Sequence, residues 1–207
     1  MVRRVLTLGT AVVGLALAAV LVMGLGAPAS AFAAHKHKPR TAYRPLVVQY
    51  NGTPVKAYTL AELEALTPFA GYAGFRKITG TIVGPDAVTG VRVTDIVADA
   101  LGTPLTRTES VDVADVGDYD ATFSYDQLVN LTGFTMYDAT TGDPVAISGL
   151  TGPLATVLVY SDPLQRVMPA ATAGPLRFMV ADATSENVVM YSQLSVYHVN
   201  RLNVIDP

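Results

Sequence analysis

The chain has 207 residues, a formal net charge of −3 and neither cysteine nor tryptophan. Without a thiol it forms no disulfide, no iron–sulfur cluster, no cysteine-bound metal and no thiolate nucleophile, so it must hold itself together by its core. All 17 acidic residues but only eight of the 14 basic ones lie from Pro45 onward, and an acidic body with scattered bases is a poor match for nucleic acid.

Arg3 and Arg4 precede an uncharged apolar run from Val5 to Leu25, and Ala29-Ser30-Ala31 offers the small residues of a cleavage site. The pattern predicts a signal peptide over residues 1–31 and an extracytoplasmic location, whether secreted, periplasmic or at the cell surface. A run of this length also suffices to cross a bilayer, so an uncleaved anchor is the alternative and the only membrane contact expected. The paired arginines lack the polar and aromatic neighbours of a twin-arginine signal, which favours the general secretory route. Export by that route argues mildly against a cofactor inserted before export. Residues 32–44, Ala-rich and then His35-Lys36-His37-Lys38-Pro39-Arg40, read as a basic flexible linker. Its two histidines suit copper or zinc only weakly. A single domain is expected over residues 45–207.

That domain begins with Leu46-Val47-Val48-Gln49-Tyr50, a strand closed by the turn dipeptide Asn51-Gly52. Thr59-Leu60-Ala61-Glu62 has capping-box spacing, and Leu60, Leu63 and Leu66 give a helical stripe that stops before Pro68. Residues 69–75 read as a loop of small and aromatic residues, followed by an alternating strand over residues 76–83. Thr89-Gly90-Val91-Arg92-Val93 leads into a second helix, capped by Thr94, packed through Ile96, Val97, Ala100 and Leu101, and ended by Gly102. Residues 110–116 alternate valines with aspartates, as a half-exposed strand does. Residues 121–124 form a short strand, residues 125–129 a helical turn, and residues 135–144 a hairpin arm. Residues 155–160 make a buried strand, and alternating apolar residues from Val188 to Ile205 close the domain. Many short strands with two or three short helices describe an α+β fold with layered mixed or antiparallel sheets.

Nucleotide loops, the serine-hydrolase elbow and zinc-protease motifs are all absent from the sequence. Asp112, Asp115, Asp118 and Asp120 lie close together but miss the calcium-loop spacing, so they read as turn and surface residues. Asn51-Gly52-Thr53 and Asn130-Leu131-Thr132 are glycosylation sequons by pattern alone. His198 reads as a packed, hydrogen-bonded residue before a general base. Arg177 is the most informative charge. Gly174-Pro175 makes a rigid corner, and the strand that follows, Leu176-Arg177-Phe178-Met179-Val180-Ala181, is apolar except for this guanidinium. A buried guanidinium needs a carboxylate, carbonyls or an anionic ligand, so an internal ion pair or a reach to solvent stands beside a ligand-binding role.

Taken in order, several segments resemble the molybdopterin-binding domain of the sulfite oxidase-like oxidoreductases, over nearly all of residues 46–205. They are Tyr58-Thr59-Leu60-Ala61-Glu62-Leu63-Glu64-Ala65-Leu66, Thr89-Gly90-Val91-Arg92-Val93-Thr94-Asp95-Ile96-Val97 with Gly102, and Asp118-Tyr119-Asp120-Ala121-Thr122-Phe123-Ser124. Gly174-Pro175-Leu176-Arg177-Phe178 and Val199-Asn200-Arg201-Leu202-Asn203-Val204 complete the set. The resemblance implies layered β-sheets edged by helices, and in the family's enzymes a molybdenum on a dithiolene cofactor, held by one cysteine between the first helix and the next strand. This chain has residues 69–77 at that place and no cysteine; Ala173 stands where a histidine often does, and Met190-Tyr191 roughly where a Lys-Trp pair does.

A retained scaffold with a stripped metal ligand implies an exported binding module, catalytically degenerate, that takes a small anionic ligand or another envelope protein. No cofactor is expected unless the family's pocket survives to hold molybdopterin. The residues expected to line the site are Tyr72, Arg76, Tyr119, Arg177 and His198, because planar donors and phenols suit an anionic or heterocyclic ligand. The alternatives are an active molybdopterin-dependent oxidoreductase with a noncysteine metal ligand, and a structural or partner-binding envelope protein.

Overall fold

A computed structural model describes residues 44–117, 119–167, 176–184 and 187–207. The expected signal peptide, most of the expected linker with His35 and His37, Asp118 and the Gly174-Pro175 corner lie outside the described residues.

The strands are β1 (Leu46–Tyr50), β2 (Thr53–Tyr58), β3 (Phe69–Arg76), β4 (Ile82–Arg92), β5 (Ser110–Asp115) and β6 (Asp120–Ser124). They continue with β7 (Met136–Asp138), β8 (Pro144–Val145), β9 (Leu154–Ser161), β10 (Arg177–Asp182), β11 (Val188–Tyr191) and β12 (Val199–Ile205). Three helices interrupt them: α1 (Leu60–Glu64), α2 (Val93–Leu101) and α3 (Tyr125–Asn130). The α+β expectation holds. A five-stranded sheet runs β2-β1-β12-β5-β6, and a seven-stranded sheet runs β10-β9-β4-β3-β11-β7-β8. In both, most neighbours are antiparallel; β1 with β12 and β3 with β11 are the parallel pairs. A single pairing of Tyr72 with Asp182 brings β3 back to β10, so four strands of the larger sheet close on themselves at that end.

Local chemistry explains the element ends. Asn51 and Gly52, both at positive φ, turn β1 tightly into β2, as the dipeptide predicts. Thr59 and Glu62 form the reciprocal capping box that starts α1, but the helix has only five residues and buries Leu63 alone, because Pro68 follows closely. Gly102, in the left-handed region, ends α2. Ser124 and Gln127 form a second capping box at α3.

Three local expectations are corrected. Residues 69–75 are strand, not loop: β3 pairs with β4 on one side and β11 on the other. The strand then ends at Arg76, and residues 77–81 form a turn in which Ile78 is largely exposed. The segment through Thr89 and Gly90 belongs to β4, so α2 starts only at Val93, with Arg92 rather than Thr94 at its cap and no side-chain capping bond. The third is β5, where Val111, Asp112, Val113 and Ala114 are all buried rather than alternately exposed. It lies between β12 and β6, and the guanidinium of Arg201 on β12 covers the Asp112 carboxylate at 3.4 Å.

One contiguous hydrophobic core draws on both sheets and all three helices. Phe123 of β6 stacks on Phe178 of β10 with ring centroids 4.4 Å apart, and Phe134 stacks on Phe123 at 5.8 Å. These rings join the smaller sheet to the larger one, each worth roughly 2–3 kcal/mol of burial. Among the described residues no helix is long and apolar enough to cross a membrane.

Candidate functional site

Arg177 opens β10, and its side chain is among the largest fully buried groups of the protein, with 1% of its surface exposed. Two aromatic rings flank the guanidinium: its carbon lies 3.5 Å from the centre of Tyr197 and 4.1 Å from that of Phe75. Its Nε donates to the Ser195 hydroxyl at 2.6 Å, and one terminal nitrogen donates to the Val167 carbonyl. The other terminal nitrogen, Nη2, is buried without a hydrogen-bond partner. Among the described residues no carboxylate forms an ion pair with it. Burial pushes the guanidinium down to about 10, with Tyr197 and then Asp162 offsetting part of the shift. It remains a cation at neutral pH.

The cage rests on a short latch. Asp162 accepts from the Val167 N–H at 2.7 Å and the Leu164 N–H at 3.1 Å, folding residues 162–167 so that the Val167 carbonyl meets Arg177. Arg166 then forks onto Asp86 of β4, donating through both Nε and Nη2. The Asp86 side chain is completely buried while that of Arg166 is 56% exposed. The loop is thereby clipped to the larger sheet.

Three of the groups that touch Arg177, namely Phe75, Ser195 and Tyr197, also line a cavity of about 480 Å³, together with Lys77, Asp115 and Tyr119. Tyr119 is half-exposed at its rim, and its hydroxyl donates to the Gln193 carbonyl at 2.7 Å. That bond ties the segment before β6 to the 3₁₀ turn before β12.

The five expected site residues therefore separate. Arg177 and Tyr119 fall on this cavity or directly behind its wall. His198 is adjacent: its backbone is in the left-handed region and its ring lies 6.1 Å from that of Tyr197. Arg76 does not join them. It follows Phe75 on the same strand and so takes the opposite face, where its guanidinium sits 4.9 Å from the centre of Tyr137. Tyr72 sits farther along β3, where it pairs with Asp182 and lines a separate groove with Gly71, Thr89 and Pro163. The residues missed at sequence level are Phe75, Lys77, Asp115, Ser195 and Tyr197. The sequence pattern puts Phe75 in a loop, and no sequence period links β3, β5 and the segment before β12.

Asp115, one of the clustered aspartates, is a turn residue as expected: its Oδ1 accepts the Gly117 N–H at 2.6 Å and the Tyr119 N–H at 3.3 Å. Among the described residues no group of three or more histidine and carboxylate side chains converges to hold a metal ion. A dithiolene-bound molybdenum of the kind the resemblance implies needs a thiolate between α1 and the next strand. That place is β3, whose residues Ala73, Gly74 and Phe75 are buried within the sheet, and a side chain at Gly74 would strike the Val83 carbonyl oxygen at 2.6 Å. Arg177, which the resemblance implies as a cofactor contact, has two aromatic rings against its guanidinium and two of its nitrogens occupied. The residues present do not fit a cysteine-ligated molybdenum. No protein-family model matches the chain, and no curated protein matches it either.

Proposed function

We propose that this protein is an exported binding module for a small planar anion, built on a scaffold similar to the molybdopterin-binding domain of the sulfite oxidase-like oxidoreductases and doing no redox chemistry of its own. The observation that carries the reading is the Arg177 guanidinium, buried with no carboxylate partner among the described residues and one nitrogen unpartnered, behind the aromatic wall of a cavity. A buried cation of this kind raises the potential inside the cavity, and Lys77 adds a second positive charge at its lining. The volume suits a small organic ligand, and Tyr119, Tyr197 and Phe75 offer flat contacts for a ring.

A structural reading has its own support, because two hydrogen bonds and two ring faces already hold Arg177 in place. Calorimetric titration of benzoate into the wild-type protein and into Arg177→Met separates the two, with urea unfolding run on both. The binding reading expects benzoate affinity to fall about tenfold, the equivalent of about 1.4 kcal/mol. It also expects a loss of about 2 kcal/mol of stability, as the Val167 carbonyl and the Ser195 hydroxyl lose their donor. An altered unfolding midpoint with unchanged benzoate affinity would leave Arg177 a structural residue only. Molybdenum near one atom per chain, measured in protein purified from its own host, would overturn both readings in favour of an oxidoreductase.

A further inference from the structure

The cavity in front of Arg177 carries charges of both signs that do not neutralise each other. Lys77 sits just past the end of β3 and Asp115 at the end of β5, on different sheets, and both line the cavity. Among the described residues neither belongs to an ion pair. Among the described residues the hydrogen bonds accepted by Asp115 both go to Oδ1, which leaves Oδ2 with capacity to accept. Aromatic residues line the same cavity: Phe75 and Tyr197 meet edge to face, at 80° with centroids 6.4 Å apart, and Tyr119 stands at the rim.

A purely anionic ligand would gain from Lys77 and from the field of Arg177, but it would meet the Asp115 carboxylate as a repulsion. A ligand that carries its own ammonium turns that repulsion into a hydrogen-bonded attraction and leaves neither cavity charge uncompensated when water is displaced. We infer that the ligand is an aromatic zwitterion, a flat ring bearing both a carboxylate and an ammonium. The carboxylate is set toward Lys77 and the ammonium toward Asp115 Oδ2, with the ring against Phe75 and Tyr197. The inference rests on the binding reading above and amends it: the ligand keeps the carboxylate but carries a compensating ammonium. Asp115 then selects the class, since it disfavours the same molecule without its amine.

The test compares three probes in calorimetric titrations against the full chain. L-phenylalanine carries both charges, 3-phenylpropanoate is the same skeleton without the ammonium, and 2-phenylethylamine is the same skeleton without the carboxylate. The expected order is L-phenylalanine tightest. Asp115→Asn keeps the Oδ1 acceptor that shapes its turn, so the fold is retained. This substitution should weaken L-phenylalanine about three- to fivefold, the size of a partly exposed ion pair, and leave 3-phenylpropanoate unchanged or tighter. Lys77→Met, at an exposed position, should weaken L-phenylalanine and 3-phenylpropanoate alike and leave 2-phenylethylamine unaffected. Equal wild-type affinities for L-phenylalanine and 3-phenylpropanoate would overturn the zwitterion while leaving the anion reading in place. Binding of 2-phenylethylamine alone would overturn both.

Discussion

At the scale of single residues, the protein solves one electrostatic problem in an unusual way. A guanidinium in an otherwise apolar strand is most simply neutralised by a carboxylate. Here two ring faces, a hydroxyl and a carbonyl do the work, and Asp162 acts at one remove by shaping the loop that presents the carbonyl. That arrangement makes Arg166 more consequential than its exposure suggests. Its partner Asp86 is buried, so Arg166→Gln leaves an uncompensated carboxylate inside the larger sheet. The urea unfolding midpoint should fall, by less than the loss of a fully buried pair because Arg166 itself faces water. Asp86→Asn in the Arg166→Gln background should recover part of that loss; no recovery would show that the pair does not hold the loop.

Among the elements, what could be read from the chain was what local chemistry decides. The α1 capping box, the Asn51-Gly52 turn and the glycine that stops α2 are set by side chains within a few positions of each other, and each is found where the spacing puts it. The run Leu176–Ala181, apolar except for Arg177, was legible for the same reason, and all six of its residues are buried. The strand β3 was not. Its small residues look like a loop because they contribute little to strand propensity, yet the sheet requires them: a side chain on Gly71 would meet the Asp182 carbonyl oxygen at 2.5 Å. Tertiary crowding of this sort has no local signature. The same blindness hid half of the site. Burial of Arg177 follows from its neighbours in sequence, whereas Phe75, Ser195 and Tyr197 reach it only through tertiary contacts, and Arg76, expected at the site, lies on the other face of β3.

Crowding by glycine also yields an element-level prediction. At the crossing of β4 and β9, where the register slips between Thr89 and Gly90, a methyl group on Gly90 would lie 2.4 Å from the Leu158 carbonyl oxygen and 2.8 Å from the Val159 Cα. Both are backbone atoms of a paired strand and cannot swing away. Gly90→Ala should therefore lower stability by about 1–3 kcal/mol. Amide exchange should quicken along β9 first. An unchanged unfolding midpoint would mean that the two strands part at no cost.

For the molecule as a whole, acid is the expected weak direction. The Glu62 carboxyl is held low mainly by the Thr59 backbone N–H, that of Asp99 by Lys56 and then Tyr58, and that of Asp138 by the Thr141 and Thr140 backbone N–H groups. Each is lower in the folded chain than in the unfolded one, so the unfolded chain binds protons first as pH falls. Their stabilisation is complete above the unfolded values of about 4 and is lost as pH drops through the folded ones. The urea midpoint should decline below about pH 4, and Asp99→Asn should make that decline shallower. A midpoint level down to about pH 2 would remove these carboxylates from the account.

The position of β12 bears on how such a chain is made. This strand, ending at Ile205, lies between β1 and β5 in the middle of its sheet, parallel to one and antiparallel to the other. Until the ribosome has delivered these residues, the first strand of the domain has no neighbour on that side and the sheet has a gap at its centre. Pairings across so long a stretch of chain form late and slowly. The smaller sheet therefore closes only after β12 has been synthesised, and β1 stays unpaired on that side until then.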